Sequence, residues 1–517
     1  MSKRSGLIAA GNKVTAEVGA EILAAGGNAF DAVIAAAYVA AFSEPVLTSI
    51  GGGGFLMARP ADGEPALLDF FGQTPGRTGD GEALDFYASH ADFGTTHQEF
   101  HIGRASVGVP GFVAGMAAIH DRFGTLPMPE LIAPAATIAR EGHRLHPLQA
   151  RTLIVVAPIM LATASARALY EDPQNPGHPW PADSLFKVPD AAAVIEAIAA
   201  EGPALFYKGD LARQIAGFLS DGGLVTRADL AGYQVHWRRP AQRRIGPATC
   251  YTNPPPSLGG PLILFTLALL DRHREMLEGP LSATTIGLIA GALRQTAAAR
   301  KASGLDHEAT DAAAAKLFEE AFFADYDAAL TGRAVKTGGT THLSVVDADG
   351  NLAAMTLSNG EGMGEILPGT GIMLNNLLGE ADINPAGFFK WQPNTRISSM
   401  MAPTLVVWDD GRAAAFGSGG SNRIRSVLAQ TAARLVLLGQ SAADAVAAPR
   451  MHFEDGLLNI EETVPDDAMA ALAEAFPERQ VWPRDNLFFG GVHMVTSGPD
   501  GIDGAADFRR AGVTIRV

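Results

Sequence analysis

The sequence predicts an α+β protein whose sheets draw strands from both ends of the chain. Three observations carry that prediction. Two short apolar runs, Phe55-Leu56-Met57-Ala58 and Ala66-Leu67-Leu68-Asp69-Phe70, flank the turn Asp62-Gly63 near the N-terminus. The middle third, roughly 111 to 330, has mostly helical spacing. From Thr340 onward, alternating runs separated by Asp/Gly turns bring strands back.

Taken in order, Val14 to Ala24 places Val14, Val18, Ile22 and Leu23 on one helical face and Lys13, Glu17 and Glu21 on the other. Gly26-Gly27-Asn28 ends this helix. Ala29 to Phe42 resumes as a helix apolar nearly all round, a pattern that belongs inside a large core. Four glycines, 51 to 54, lead into the first strand. Helical patterns are clearest at Ala114 to Phe123, Pro129 to Glu141, Ala191 to Ala200 and Ala283 to Ala302, with breaks at Asp172-Pro173 and Asn253-Pro254-Pro255-Pro256. Thr341 to Val346 and Asn351 to Ser358 form a hairpin across Asp347-Ala348-Asp349-Gly350. Thr404 to Trp408 and Arg412 to Phe416 form a second, turning at Asp409-Asp410-Gly411. A last strand pair is expected at Val492 to Thr496 and Val513 to Val517. No solenoid repeat or low-complexity segment is visible.

Bulk properties narrow the function. A hydrophobic fraction of 47% in 517 residues supports a substantial core, in one two-lobed unit or two to three domains. A net charge of −16 without a basic run argues against nucleic-acid and anionic-lipid partners, and reads first as solubility. The single cysteine, Cys250, excludes an internal disulfide framework and a cysteine metal cluster, and fits a reducing compartment. The basic Lys3-Arg4 is followed by no apolar h-region. The longest apolar stretch, Ala32 to Phe42, is 11 residues, against roughly 20 for a membrane span. These features predict a cytoplasmic protein with no membrane partner. His342, His452 and His493 are too scattered for a metal site and are assigned structural roles, so neither metal nor cofactor is expected.

The segment Gly338-Gly339-Thr340-Thr341-His342-Leu343-Ser344 is the most informative in the chain. Alternation sends Thr340, His342 and Ser344 to one face and Thr341, Leu343 and Val345 to the other. A threonine hydroxyl becomes a nucleophile when a neighbouring base takes its proton, and the threonine's own α-amine can serve. That amine titrates at roughly 8. It exists only after the preceding peptide bond is broken.

The segment resembles the γ-glutamyltransferase family of N-terminal-nucleophile hydrolases, and the resemblance runs along nearly the whole chain in eight blocks in the family's order. They are Gly26-Gly27-Asn28-Ala29-Phe30-Asp31-Ala32, Ile50 to Phe55, Ser106 to Gly111, Asn253 to Gly260, Thr340-Thr341-His342, Ile372 to Asn376, Ser398-Ser399-Met400 with Pro403-Thr404, and Gly417-Ser418-Gly419-Gly420-Ser421. The resemblance implies a four-layer αββα sandwich built from two interleaved fragments. It places self-cleavage between Gly339 and Thr340, giving a large subunit of residues 1–339 and a small one of 340–517. A side-chain-free Gly339 gives the Thr340 hydroxyl close access to its carbonyl. Thr340 is then the nucleophile, and the backbone N–H groups of Gly419 and Gly420 are the oxyanion donors. Read alone, Gly417 to Gly420 is a turn leaving the preceding strand. The run misses the G-x-G-x-x-G pattern because Asn422 fills its last place, which excludes a dinucleotide loop. Ser358 stands where the family has a threonine that helps hold the nucleophile. Ser398 and Ser399 match the pair that binds the substrate α-carboxylate, and Glu380 stands for the aspartate that binds its α-amine. The implied partners are a small γ-glutamyl amide of the glutathione kind and water or an amine acceptor.

Three positions depart from the family pattern. Phe71 takes the place of the arginine that clamps the glutamyl carboxylate; Leu377 and Gly360 replace a glutamine and an asparagine near the amine end. A phenyl ring cannot make the forked charged hydrogen bonds of a guanidinium. Phe71→Arg is accordingly expected to improve γ-glutamyl turnover. Arg77 and Arg104 are the candidates to supply the missing charge, and the sequence does not choose between them. Arg423 and Arg425 either order the glycine turn or meet an acidic substrate. The leading expectation is a self-processing γ-glutamyltransferase (glutathione hydrolase). The alternative is an acylase of the same family with a different acyl group, and a non-catalytic binding relative is a distant third.

Overall fold

The protein is described here by a computed structural model covering residues 5–79, 83–92, 97–307, 309–327, 340–384 and 386–517. Its centre is an antiparallel seven-stranded sheet in the order Val513–Arg516, Gly6–Ala10, Thr341–Asp347, Leu352–Ser358, Gly53–Arg59, Ala66–Phe70 and His236–Arg238. A six-stranded sheet runs Gly501–Ala506, Gly491–Gly498, Ala413–Gly419, Thr404–Trp408, Ala248–Thr252 and Ala241–Ile245. Each sheet therefore mixes strands from before and after Thr340, so the two stretches share one core.

The Thr341–Asp347 strand, third in the seven-stranded sheet, faces helix on one side and the second sheet on the other, and its side-chain period of two decides what it touches. Leu343 and Val345 join the core that contains the helix Ala29–Ser43, while Val346 joins the core of the second sheet. The helices Lys13–Ala24 and Ala29–Ser43 pack on one face of the seven-stranded sheet; the strands Ala413–Gly419 and Gly491–Gly498 pack on the other. Beyond them lie the helices Gly259–Arg272 and Arg423–Val436. Every residue of Ala29–Ser43 is buried, which accounts for its lack of a polar face. Asn28 caps it, accepting from the Phe30 and Asp31 amides at 2.9 Å while Asp31 accepts from the Asn28 amide at 3.0 Å.

Several expectations are corrected. Val513–Arg516 does not pair with Gly491–Gly498; it pairs with Gly6–Ala10 in the other sheet, and Gly491–Gly498 pairs with Ala413–Gly419 and Gly501–Ala506. The strand Gly6–Ala10 itself went unread, as did the strands between His236 and Thr252 inside the supposedly helical third. Gly417 to Gly419 are not a turn but the end of a strand.

Candidate active site

Thr340 sits immediately before the Thr341–Asp347 strand and is 4% exposed. The register Thr341↔Leu357, continued by one residue, sets Ser358 across from it. Ser358 in turn pairs with Gly53, at the end of the glycine run, and its hydroxyl accepts from the Gly360 amide at 3.1 Å. Gly339 lies outside the described residues.

The second sheet closes on this strand through glycines. A Cβ on Gly419 would lie 1.7 Å from the Thr340 carbonyl oxygen, and one on Gly417 would lie 2.3 Å from the His342 ring. Gly420, at φ +121°, turns the chain away into a backbone region that glycine alone adopts readily. The glycines are there because two backbones meet at Thr340.

His342 bridges Thr356 Oγ1 (2.8 Å from Nδ1) and Ser344 Oγ (2.9 Å from Nε2), and burial holds it well below its usual pKa. His452 likewise bonds Ser426, at 2.8 Å. These two fit the structural roles expected of them. His493 stands nearer the chemistry: with Glu44, Gly11, Thr341 and Arg510 it lines a recess of about 10 Å³ beside Thr340. Such a recess holds roughly one water. Burial lowers His493 to about 4, leaving the ring neutral.

Glu44 was not anticipated, although a carboxylate ending the long apolar run was a readable signal. It accepts from Thr341 Oγ1 at 2.7 Å and from Thr15 Oγ1 at 3.1 Å, which fixes the residue next to Thr340. Burial pushes its carboxyl up to about 6, against the opposing pull of these hydroxyls and Arg510. The folded state thus holds the proton more tightly than an unfolded chain titrating near 4.5. The stability so gained is complete below 4.5 and is lost as pH rises through 6. Glu44→Gln, uncharged throughout, is expected to gain about 2 kcal/mol on the wild type between pH 4.5 and 7.5. Thermal melts of both processed proteins check this; a difference constant with pH would remove Glu44 as the source.

The remaining expected residues are placed elsewhere. Ser398 donates to the Pro256 carbonyl at 3.2 Å and lines a separate cavity of about 640 Å³ bounded by Thr310, Trp391 and Arg396. The Ser399 hydroxyl accepts from the Met401 amide at 3.0 Å. Neither serine lines the Thr340 recess. Glu380 is buried beside Gly360, where a Cβ would lie 2.6 Å from its Oε1, and burial followed by Glu361 and Asp382 raises its pKa well above normal. Phe71 is 1% exposed and packs on Phe55 with ring centroids 5.5 Å apart, in the apolar cluster that also holds Leu377. A guanidinium introduced at 71 would enter that cluster, so the benefit expected of Phe71→Arg is withdrawn. Arg104 is committed to Glu365 (3.0 Å) and Asp221 (3.3 Å), and Arg77 is exposed; neither lines the recess. Arg425 is buried against Glu454 at 2.7 Å.

The motif blocks prove to be braces around the site. Asn375 Nδ2 donates to the carbonyls of Gly51 (2.8 Å) and Gly108 (2.9 Å), while its Oδ1 accepts from the Gly108 amide at 2.9 Å. Asn376 Oδ1 accepts from the Glu361 amide at 2.9 Å. Asn253 Nδ2 and Ser257 Oγ both donate to the Met401 carbonyl, at 2.8 and 2.9 Å.

Comparison with known proteins places this arrangement. The family model for gamma-glutamyltranspeptidase matches residues 15–517. Acylase ACY 1 proenzyme of Pseudomonas sp. (strain V22) is 30% identical over 537 aligned residues, covering 99% of this chain and 93% of the relative. Glutathione hydrolase proenzyme of Escherichia coli (strain K12) is 30% identical, covering 98% and 90%. In fold, the chain resembles the crystal structure of cephalosporin acylase from Bacillus halodurans, with a TM-score of 0.84 at 22% identity, covering 99% and 96%. A threonine heading a central strand, closed over by glycines of a second sheet, together with the family match, defines a hydrolase or transpeptidase of the N-terminal-nucleophile class. The chain belongs to the gamma-glutamyltranspeptidase family.

Proposed function

We propose that this protein is a self-processing threonine amidohydrolase of the acylase kind, whose acyl group is not held as a zwitterionic γ-glutamyl head. Thr340 Oγ attacks the carbonyl of Gly339 to form an ester that water opens, leaving fragments 1–339 and 340–517 in the αββα sandwich suggested by the layer contacts. The same oxygen then attacks the substrate amide while the new α-amine takes its proton and returns it to the departing amine. Backbone N–H groups of Gly419 and Gly420 receive the oxyanion, a contribution of a few kcal/mol. Ser358 steadies the nucleophile from the adjacent strand. Water, or an acceptor amine, releases the acyl group.

The observation that carries the acylase reading is Phe71 buried against Phe55 in an apolar cluster with Leu377, where the γ-glutamyl clamp would stand. Similarity to an acylase over 99% of the chain supports it. The γ-glutamyl reading keeps Ser398, Ser399 and Glu380 as the head-group site and is supported by similarity to a glutathione hydrolase. A panel of anilides on processed enzyme tests the choice. Acyl groups lacking the α-amine are expected to turn over at least tenfold faster than γ-glutamyl anilide. A preference of that size for γ-glutamyl would overturn the reading.

A further inference from the structure

A second cavity, of about 60 Å³, adjoins the nucleophile recess and shares Leu47 and Arg510 with it. Its walls are apolar at Val46, Leu47, Val155, Trp482 and Phe488, the last two stacked with centroids 4.5 Å apart, and charged at Arg510, Arg423 and Glu361. On the measure by which one water needs 10–15 Å³, it takes a chain of about four heavy atoms. Arg510 stands at the junction. Its Nη2 lies 3.7 Å from where a Gly420 Cβ would be, so the guanidinium reaches the oxyanion glycines and the cavity together.

Arg510 shares with Arg294 and Arg434 the lack of a facing carboxylate, and of these three it alone lines the two cavities. Arg396, Arg425, Arg450 and Arg509 each face a carboxylate, at 3.0, 2.7, 2.7 and 2.5 Å. The Arg510 guanidinium makes one long hydrogen bond, 3.4 Å from Nη2 to the Leu487 carbonyl, and its buried Nε has no partner. Among the described residues no carboxylate comes within ion-pair distance of it. Asp507 is taken by Arg450 and Arg509, and Glu44 by Thr341 and Thr15. Burial lowers Arg510 only to about 10, so it is a cation at neutral pH. A buried cation without a counter-ion is costly, and an anion arriving with a ligand would relieve that cost.

We propose that Arg510 is the specificity-determining residue that receives a carboxylate carried by the acyl group a few atoms from the scissile carbonyl. The acyl chain lies along the Trp482–Phe488 wall. This rests on the threonine-amidohydrolase reading and moves carboxylate recognition from the Phe71 position and the Ser398-Ser399 pair to Arg510.

The test uses processed enzyme with succinyl, glutaryl and butyryl anilides. The wild type is expected to favour the carboxylate-bearing pair over butyryl by at least tenfold in kcat/KM. Arg510→Met is expected to lower the carboxylate-bearing substrates about 100-fold, mainly through KM, while butyryl changes less than threefold; Arg510→Lys recovers part of the loss. An equal fall for all three substrates would make Arg510 a structural or oxyanion residue and overturn the proposal, as would no fall at all. Should Arg510→Met fail to mature, inhibition of the wild type decides. Free glutarate should compete where glutaramide does not, and equal inhibition by both defeats the assignment. Wild-type enzyme inert toward every anilide would instead defeat the amidohydrolase reading.

Discussion

Thr340→Ala is expected to leave a single uncut 517-residue polypeptide with amidase activity reduced about 10⁴-fold or more. In the proposed mechanism one hydroxyl serves two reactions: the attack that frees the small fragment and the attack that forms the acyl-enzyme. Removing it removes both. Losses of this order are usual when an activated nucleophile is deleted, because its partners act only through it. Thr340 stands at a strand head, and alanine keeps the backbone pairing of that strand, so the variant should fold with nearly unchanged circular dichroism. Thr340→Ser keeps the hydroxyl and should cleave slowly, giving two bands with time. Denaturing electrophoresis with N-terminal sequencing reads all of this. Two fragments from the alanine variant, with the small one beginning at position 340, would mean that another group performs the cut.

Gly419→Ala carries the second large effect, through backbone rather than side-chain chemistry. Its Cβ would fall 1.7 Å from the Thr340 carbonyl oxygen and 2.6 Å from the carbonyl carbon, so one of the two strands must move by more than an ångström. Overpacking of this kind costs about 1–3 kcal/mol. A displacement of about 1 Å at the reacting atoms costs roughly 100-fold in rate. The expected result is a lowered melting temperature with self-cleavage slowed by at least that factor. Gly287→Ala is the control: it lies within the helix Ala283–Ser303 with nothing within 4 Å of its Cβ. It should stabilise by about 0.5–1 kcal/mol and leave cleavage unchanged. Wild-type maturation of Gly419→Ala would show that the two sheets are not in contact at the nucleophile.

Both variants bear on one arrangement. The nucleophile strand is held from the first sheet by pairing and from the second by glycine contact, and Glu44 fixes the residue after it. The proposed cut before Thr340 would release an end without dismantling the core, because each sheet contains strands from both sides of it. The fragments should therefore stay associated after processing.

What the sequence alone determined was local. Helical period placed the helices Lys13–Ala24, Ala29–Ser43, Phe112–Phe123 and Ala283–Ser303 within two residues at either end, because burial of one face, or of all faces, is written in spacing. The Asp347 to Gly350 turn placed the hairpin that carries Thr340. Thr340 and the glycines 417 to 420 that close on it were readable as motifs because they lie in short contiguous blocks. Gly417 to Gly419 read as a breaker, since nothing nearby in the chain announces that a second sheet presses on them. The partnership of Gly6–Ala10 with Val513–Arg516, across some five hundred residues, left no mark in either segment. Tertiary structure alone decided that Phe71 faces an apolar core, that Ser398 opens to a different cavity, and that Arg510 lines one cavity with Leu47 and Trp482. A cavity is made by elements far apart in the chain, and its charge balance depends on which carboxylates other arginines have already taken. Pattern reports what a segment prefers; only the packed fold determines which groups are left facing one another.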